Sequence, residues 1–373
     1  MRTVEARTWV EIKKSAAKHN LKIFKGLVGE GVKIWAVVKS NAYGHGLFVL
    51  PKLINDAGVY GFCVDTLVEG VKLRELGINK PILVLGFTLP QLLPLAKRHN
   101  ITISISSQEM FKKFLTADTV PEFHLKIDTG MHRQGFYPAA VPSIIKELKA
   151  SHKNKYMTGV FTHFASAKDL NYPAYTDMQL KSFLEVCETL NRVGFKNLMR
   201  HASATAGAIV SQKYHLDAVR IGIGFYGLPP SKELEIQRNE IKLKPVLAWR
   251  TIVSETKWLK RGGFVGYDLV ERVTRPTQMA VLPIGYWHGY PRALSGVGHV
   301  LIRGKRAKVL GRVSMDMIVV DVTGLNCHFG DRVTLIGQDG KDEITAQEFA
   351  ATAGASYYEI LTRINPLIER VTV

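Results

Sequence analysis

A chain of 373 residues, 46% hydrophobic and 22% charged, has the composition of an ordinary globular enzyme and material for more than one core. It holds no apolar run of membrane-spanning length and no signal-type segment in MRTVEARTWVEIKKSAAKHN, so a cytoplasmic protein without a membrane partner is expected. The net charge of +18 is scattered through amphipathic stretches without a basic run or RNP-like motif, which argues against specific nucleic-acid binding and for a basic mouth that attracts anionic small molecules.

In chain order, the opening RTVEARTWVEI reads as a strand that either domain can claim. IWAVVKSNAYGHG follows, where the apolar run Ile34 to Val38 shows no alternation and suits a strand buried on both faces. Lys39 stands where that strand leaves the core. Desolvation there penalises the ammonium, and a neutral amine can attack a carbonyl, as a Schiff-base lysine does. A lysine that merely snorkels from a strand end is the plainer alternative. Tyr43 and His45 lie in the Gly-rich segment beyond it, whose backbone amides can approach an anion.

Further apolar runs predict strands at Tyr60 to Val64, Pro81 to Gly86, Ile101 to Ser106, Glu122 to Asp128, Met157 to Ala165, Leu198 to Ser203 and Ala218 to Tyr226. The gaps between them leave room for a crossover helix each, and several carry helical periodicity, as in Leu67, Val71, Leu73 and Leu76. The pattern predicts an α/β fold, a (β/α)8 TIM-type barrel with its active site at the carboxyl ends of the strands. Lys39, Asp128, His163, Ser203 and Arg220 all fall at such ends. The widely spaced Cys63, Cys187 and Cys327 suggest neither a disulfide framework nor a metal centre. GIGFYG, Gly222 to Gly227, fits a dinucleotide-type glycine pattern, but Pro229 and Pro230 stand where a helix would start, so that reading is rejected.

Beyond Pro229 and Pro230, a charged connector SKELEIQRNEIKLK leads into β-branched stretches, in which only ITAQEFAATAG looks helical. The expected division is therefore a barrel over residues 1–235 and a smaller β-rich C-terminal domain over 236–373, with the first ten or so residues free to pair with the latter.

Taken together, AVVKSNAYGHG, KIDTGMHRQG, THFA, VRIGIGFYG, VGYD, PIGYWHG, GRVSMDM and YYEI resemble, in order and over nearly the whole chain, the alanine racemases. These are fold-type III enzymes that use pyridoxal phosphate. The resemblance implies that Lys39 holds the cofactor and acts as one catalytic base, and that Tyr267 of a partner subunit is the other. Two bases on opposite faces of a carbon invert it without turning the substrate. It further implies that Arg220 faces the cofactor's pyridine nitrogen, where an always-protonated guanidinium can donate a hydrogen bond but no full proton and so leaves the ring a weaker electron sink. His163 would link Arg220 to the tyrosine base.

Tyr43, Tyr358, Gly222 and Ile223 would hold the phosphate, with Thr205 or Ser203 in place of a family serine, since HASATAG departs from the usual Asn-Ser-Ala run. Arg133 would meet the substrate carboxylate, oriented by a carbamylated Lys126, with His132 where the family has glycine. Met315 would offer its backbone amide to that carboxylate in a loop organised by Asp316. Tyr286 and Tyr358 would narrow the entrance, beside an unusual Trp287 and His288. The implied protein is a homodimeric alanine racemase with shared sites, taking a small amino-acid substrate and supplying D-alanine for peptidoglycan. Racemisation of serine or of a broad set of amino acids, a decarboxylase on the same barrel, and a non-catalytic cofactor carrier remain the alternatives.

Overall fold

The computed structural model describes residues 6–373, so residues 2–5 of the opening stretch lie outside the described residues. Two compact units emerge, one formed by 15–42 and 50–244, the other by residues up to Lys14, by 43–49 and by 245–373. The change of unit near residue 245 falls beyond the connector, because that connector forms a helix, Lys232–Gln237, capped by Ser231 and packed with the barrel through Leu234.

The N-terminal strand β1 (Thr8–Ile12) is followed by the eight parallel strands of the barrel. These are β2 (Lys33–Val37), β3 (Gly61–Val64), β4 (Ile82–Val84), β5 (Ile103–Ile105), β6 (Phe123–Lys126), β7 (Met157–Phe161), β8 (Met199–His201) and β9 (Ala218–Ile221). Their spatial order, β4-β3-β2-β9-β8-β7-β6-β5, joins first to last through β2 and β9, and a parallel bridge between Leu83 and Thr102 joins β4 to β5. All but β8, whose Arg200 is exposed, are wholly or largely buried, which is why most of them appear in the sequence as apolar runs without alternation. Asn20, on the helix Lys14–Val28, donates to Phe225 O and Lys244 O and accepts from Lys244 N, tying the unit's last segment to its first helix.

In the other unit the sheet runs β11-β14-β17-β16-β15-β18-β10-β1-β20, with β19 paired to β18 and β12 paired to β13. The strands are β10 (Leu247–Ile252), β11 (Glu255–Leu259), β12 (Phe264–Val265), β13 (Glu271–Arg272), β14 (Thr277–Leu282), β15 (His299–Ile302), β16 (Lys305–Leu310), β17 (Ile318–Asp321), β18 (Arg332–Asp339), β19 (Asp342–Ile344) and β20 (Glu369–Thr372). β1 lies between β10 and β20, antiparallel to the first and parallel to the second. Trp249, Tyr290 and Phe349 pack ring against ring in the core. Besides Ala346–Thr352, a second helix, Tyr357–Arg363, follows Ser356, whose hydroxyl accepts from Tyr358 N. It corrects the expectation of a single helix here, and its Ser-x-x-Glu start was the visible signal.

Among the described residues no helix is long and apolar enough to cross a membrane, and no cluster of His, Cys, Asp or Glu could hold a metal ion.

Candidate active site

At the carboxyl end of β2 the chain does something ordinary L-residues avoid. Ser40, Asn41, Ala42 and Tyr43 all have left-handed backbone angles, with φ between 51° and 56°. Ala42 N donates to Val38 O at 2.9 Å, closing one left-handed helical turn directly after Lys39. Such a conformation costs on the order of 1–2 kcal/mol per residue, and strain of this kind persists only where the surroundings over-determine it. Here the Glu69 carboxylate accepts from Ser40 N (2.6 Å) and Asn41 N (3.4 Å). Beyond the turn, in the β-rich unit, the chain packs so closely that a Cβ on Gly44 would stand 1.9 Å from Leu361 O.

Lys39 Nζ lies 3.3 Å from Asp65 Oδ1, and its side chain is 36% exposed. The expectation of an amine desolvated by burial is thereby corrected. Solvent and an ion-pair partner reach Lys39, and its distinctive setting is the strained turn and the surrounding cations.

Arg220, on β9, is 2% exposed and faces no carboxylate. It donates to Thr162 O (2.8 Å), Ala202 O (2.7 Å) and His163 Nδ1 (3.2 Å), and to His201 Nδ1, which in turn bonds His124 at 2.8 Å. A guanidinium has no lone pair to give, so His163 and His201 must both accept through Nδ1 and carry their protons on Nε2. His201 then donates to His124 Nδ1, and the proton of His124 also sits on Nε2. Burial, reinforced by Arg220, holds His124 and His163 down to about 3 and pushes His201 well below its ordinary value, so all three stay neutral. Sequence reasoning found Arg220 and His163 and missed His124, a histidine on a buried strand that gives no outward signal. His124 has room because its register partner is Gly159, where a Cβ would stand 2.6 Å from three atoms of the imidazole ring.

Lys126 ends β6 at 7% exposure, with Nζ 3.3 Å from Gln134 Oε1. Burial lowers it to about 8, helped by the charges of Arg133, Arg220 and Lys39 and opposed by Asp128. Its amine is therefore partly neutral near physiological pH. Asp128 Oδ1 accepts from the backbone N–H of Gly130, Met131 and His132, each at 3.0 Å. Burial pushes that carboxyl up, but the three donors prevail and bring it below its ordinary value. They also hold His132 in a left-handed conformation (φ 54°), the geometry a glycine would take without strain. Arg133 is exposed on the same loop.

The β9 end turns through Gly222 into a short 3-10 helix, Ile223–Tyr226. Thr205 Oγ1 accepts from Gly222 N (3.1 Å) and Gly224 N (3.3 Å), which leaves the hydroxyl hydrogen to donate. Ser203 donates to Tyr214 O at 2.7 Å and is fully enclosed. Of the two hydroxyls expected at the phosphate, Ser203 is thus committed elsewhere and Thr205 borders the glycine turn.

In the β-rich unit, Tyr43 and Tyr358 approach with ring centroids 6.3 Å apart. Burial, with Tyr357 and Tyr43 alongside, raises Tyr358 far above the ordinary phenol range and keeps it a hydroxyl. Tyr267 is 69% exposed on the turn Tyr267–Leu269, where Asp268 pairs with Arg312. The loop after Arg312 passes Ser314 O to Tyr286 N and Met315 O to Trp287 N, each at 3.0 Å. Met315 and Tyr286, far apart in sequence, are thus brought together by backbone hydrogen bonds, and both are exposed. Ser314, rather than Asp316, closes the Met315 loop by bonding Met317 N and O. His288 Nδ1 accepts from Gly285 N, the work a carboxylate would do in that turn.

Lys39, Lys126, Arg133 and Arg220 all act electrostatically on His163, and the neighbouring carboxylates are Asp65 and Asp128. A buried guanidinium without a carboxylate fits an anionic ligand. A (β/α)8 barrel with a lysine at one strand end, such a guanidinium at another and a hydroxyl beside a glycine turn defines a class: barrel enzymes that hold a phosphorylated carbonyl cofactor on a lysine.

Models of the alanine racemase N-terminal and C-terminal domains match residues 12–230 and 246–372. The chain belongs to the alanine racemase family, and is a pyridoxal-phosphate-dependent amino-acid racemase. It is 38% identical over 368 residues to an alanine racemase of Halothermothrix orenii, covering 97% of this chain and 96% of that protein. Its fold matches alanine racemase from Bacillus anthracis with bound L-Ala-P (TM-score 0.91, 32% identity, 100% and 96% of the chains covered). It matches that of Clostridium difficile 630 equally well (TM-score 0.92, 31% identity, 100% and 97% covered).

Proposed function

We propose that the protein interconverts L- and D-alanine by moving the Cα proton between two bases on opposite faces of the substrate, Lys39 and Tyr267 of a second copy. The observation that carries this reading is Arg220, a buried guanidinium satisfied only by carbonyls and neutral imidazoles. Pyridoxal phosphate, when bound, draws electrons from the Cα of the amino acid attached to it and so makes that proton acidic. Arg220 would limit that withdrawal, because a guanidinium could donate a hydrogen bond to the ring nitrogen but would keep its own proton, which would favour prompt return of the Cα proton over side reactions.

Lys39 would hold the cofactor and take or return the proton on one face. On the other face, His163 would present its Nε2–H to the Tyr267 oxygen and stabilise it as a base, since its Nδ1 is engaged by Arg220. Thr205, Gly222 and Ile223, with the hydroxyls of Tyr43 and Tyr358, would bind the phosphate. Arg133 and the Met315 amide would receive the substrate carboxylate, and Tyr286 with Tyr358 would restrict the side chain to the size of a methyl group. Lys126 would react with CO2 through its neutral amine, forming a C–N bond and releasing one proton, and the resulting carbamate would orient Arg133.

The exposure of Tyr267, Met315 and Tyr286, all in the β-rich unit, supports a homodimer in which each copy completes the other's site. D-Alanine for peptidoglycan is the proposed use, in the cytoplasm, where the unpaired Cys63, Cys187 and Cys327 would be at home. Proton NMR of the loaded protein with a panel of L-amino acids in deuterated water tests the reading. Loss of the Cα proton from alanine with D-alanine appearing is expected. Equal exchange in larger amino acids would overturn the alanine gate, and no exchange in protein holding the cofactor would overturn the racemase reading.

A further inference from the structure

We infer that Glu69 is a positioning residue for the reaction, its carboxylate holding in place the left-handed turn that carries Lys39. The inference rests on the reading of Lys39 as the cofactor lysine. One carboxylate oxygen, Oε1, takes the N–H groups of Ser40 (2.6 Å) and Asn41 (3.4 Å). The other, Oε2, takes those of Asp65 (2.9 Å) and Thr66 (3.3 Å). The first N–H groups of any helical turn have no acceptor inside it, and a left-handed turn of L-residues also has no intrinsic preference to persist. Glu69 supplies the missing acceptors.

The same carboxylate fixes the backbone of Asp65, whose side chain meets Lys39 Nζ at 3.3 Å. Glu69 therefore ties together the end of β2, the end of β3 and the start of the helix Leu67–Glu75. The lysine and its acid partner are set relative to one another through a residue that touches neither side chain. A carboxylate offers two equivalent oxygens with about four acceptor sites, whereas a glutamine offers a single oxygen and presents N–H groups on the other side. Glu69→Gln thus keeps the shape and loses half the clamp.

Glu69 also completes a helix cap, because Thr66 Oγ1 accepts from Glu69 N at 3.3 Å. That structural role can be separated from the other by Thr66→Ala, which weakens the cap and leaves the acceptors of Ser40 and Asn41 untouched. In the cofactor-free full-length chain, amide hydrogen exchange at Ser40 and Asn41 is expected to quicken by about tenfold or more in Glu69→Gln and to stay unchanged in Thr66→Ala. In the loaded enzyme Glu69→Gln should lower kcat by about ten- to a hundredfold with KM little altered, and should shift the pH titration of the bound cofactor's absorbance, while Thr66→Ala leaves both in place. Glu69→Asp, shorter by one methylene and still able to cap the helix, should behave like Glu69→Gln if the latter folds poorly.

Unchanged exchange at Ser40 and Asn41, or equal losses of kcat in Glu69→Gln and Thr66→Ala, would overturn the inference. A failure of the Lys39 reading would show itself differently. Borohydride reduction and peptide mapping would then find the cofactor on another residue while Glu69→Gln still released the two amides.

Discussion

Arg220 donates and never accepts, so every imidazole in its reach must offer a lone pair, and one cation fixes the tautomers of His163, His201 and His124. This is a sharper arrangement than the sequence suggested, since of these three histidines only His163 was assigned a part there. Replacing His163 with Phe removes the Nε2–H that would stabilise the base on the substrate's far face. The acid limb of the kcat/KM profile should then move to higher pH by about one unit, the worth of one hydrogen bond to a charged group. A profile that falls in height without moving would assign His163 a purely structural part.

Lys126 makes a second prediction at this scale. Carbamate forms only from the neutral amine, and the buried amine loses its proton around pH 8 in place of its ordinary value near 10.5. In labelled bicarbonate, a protein-bound carbamate 13C signal should therefore grow as pH rises through about 8 and vanish in Lys126→Ala. A signal that first appears only above about pH 10 would place the carbamate on an ordinary exposed lysine.

Among the elements, most barrel strands were legible because they are buried on both faces and so read as apolar runs, the exception being β8, where Arg200 is exposed. What the sequence concealed follows from the same physics. The turn Ser40 to Tyr43 looks like any small polar segment, since nothing in Ser-Asn-Ala-Tyr favours positive φ as glycine would; the backbone of Ser40 and Asn41 is held by the Glu69 carboxylate. The helix Tyr357–Arg363 is short and begins with two tyrosines, so its periodicity is weak, and its cap was the better signal. Thr205 and Ser203 could be told apart only by where each hydroxyl points.

Two substitutions test these element-level accounts. Gly159→Ala drives a methyl group into the His124 ring and should destabilise the protein by roughly 1–3 kcal/mol, with loss of activity through His201 and Arg220. His132→Gly should raise stability by about 0.5–1 kcal/mol by relieving its left-handed backbone, read as an increase in Tm. Unchanged stability in Gly159→Ala or a fall in Tm for His132→Gly would contradict them.

For the whole molecule, the two proposed bases fall in different structural units, which would give the proposed dimer a chemical purpose. Lys39 belongs to the barrel, whereas Tyr267 stands in the β-rich unit at 69% exposure, as do the exposed Met315 and Tyr286. If Tyr286 narrows the entrance as proposed, a change at the neighbouring Trp287, 55% exposed, is expected to alter which side chains enter while leaving the proposed bases in place. The most direct measurement is complementation. Lys39→Ala and Tyr267→Phe chains, each inactive alone, are mixed under conditions that exchange subunits. Racemase activity is expected to recover to roughly a quarter of the wild-type level, because half of the random dimers carry one intact site. No recovery, with heterodimers present in the mixture, would mean that both bases come from one chain.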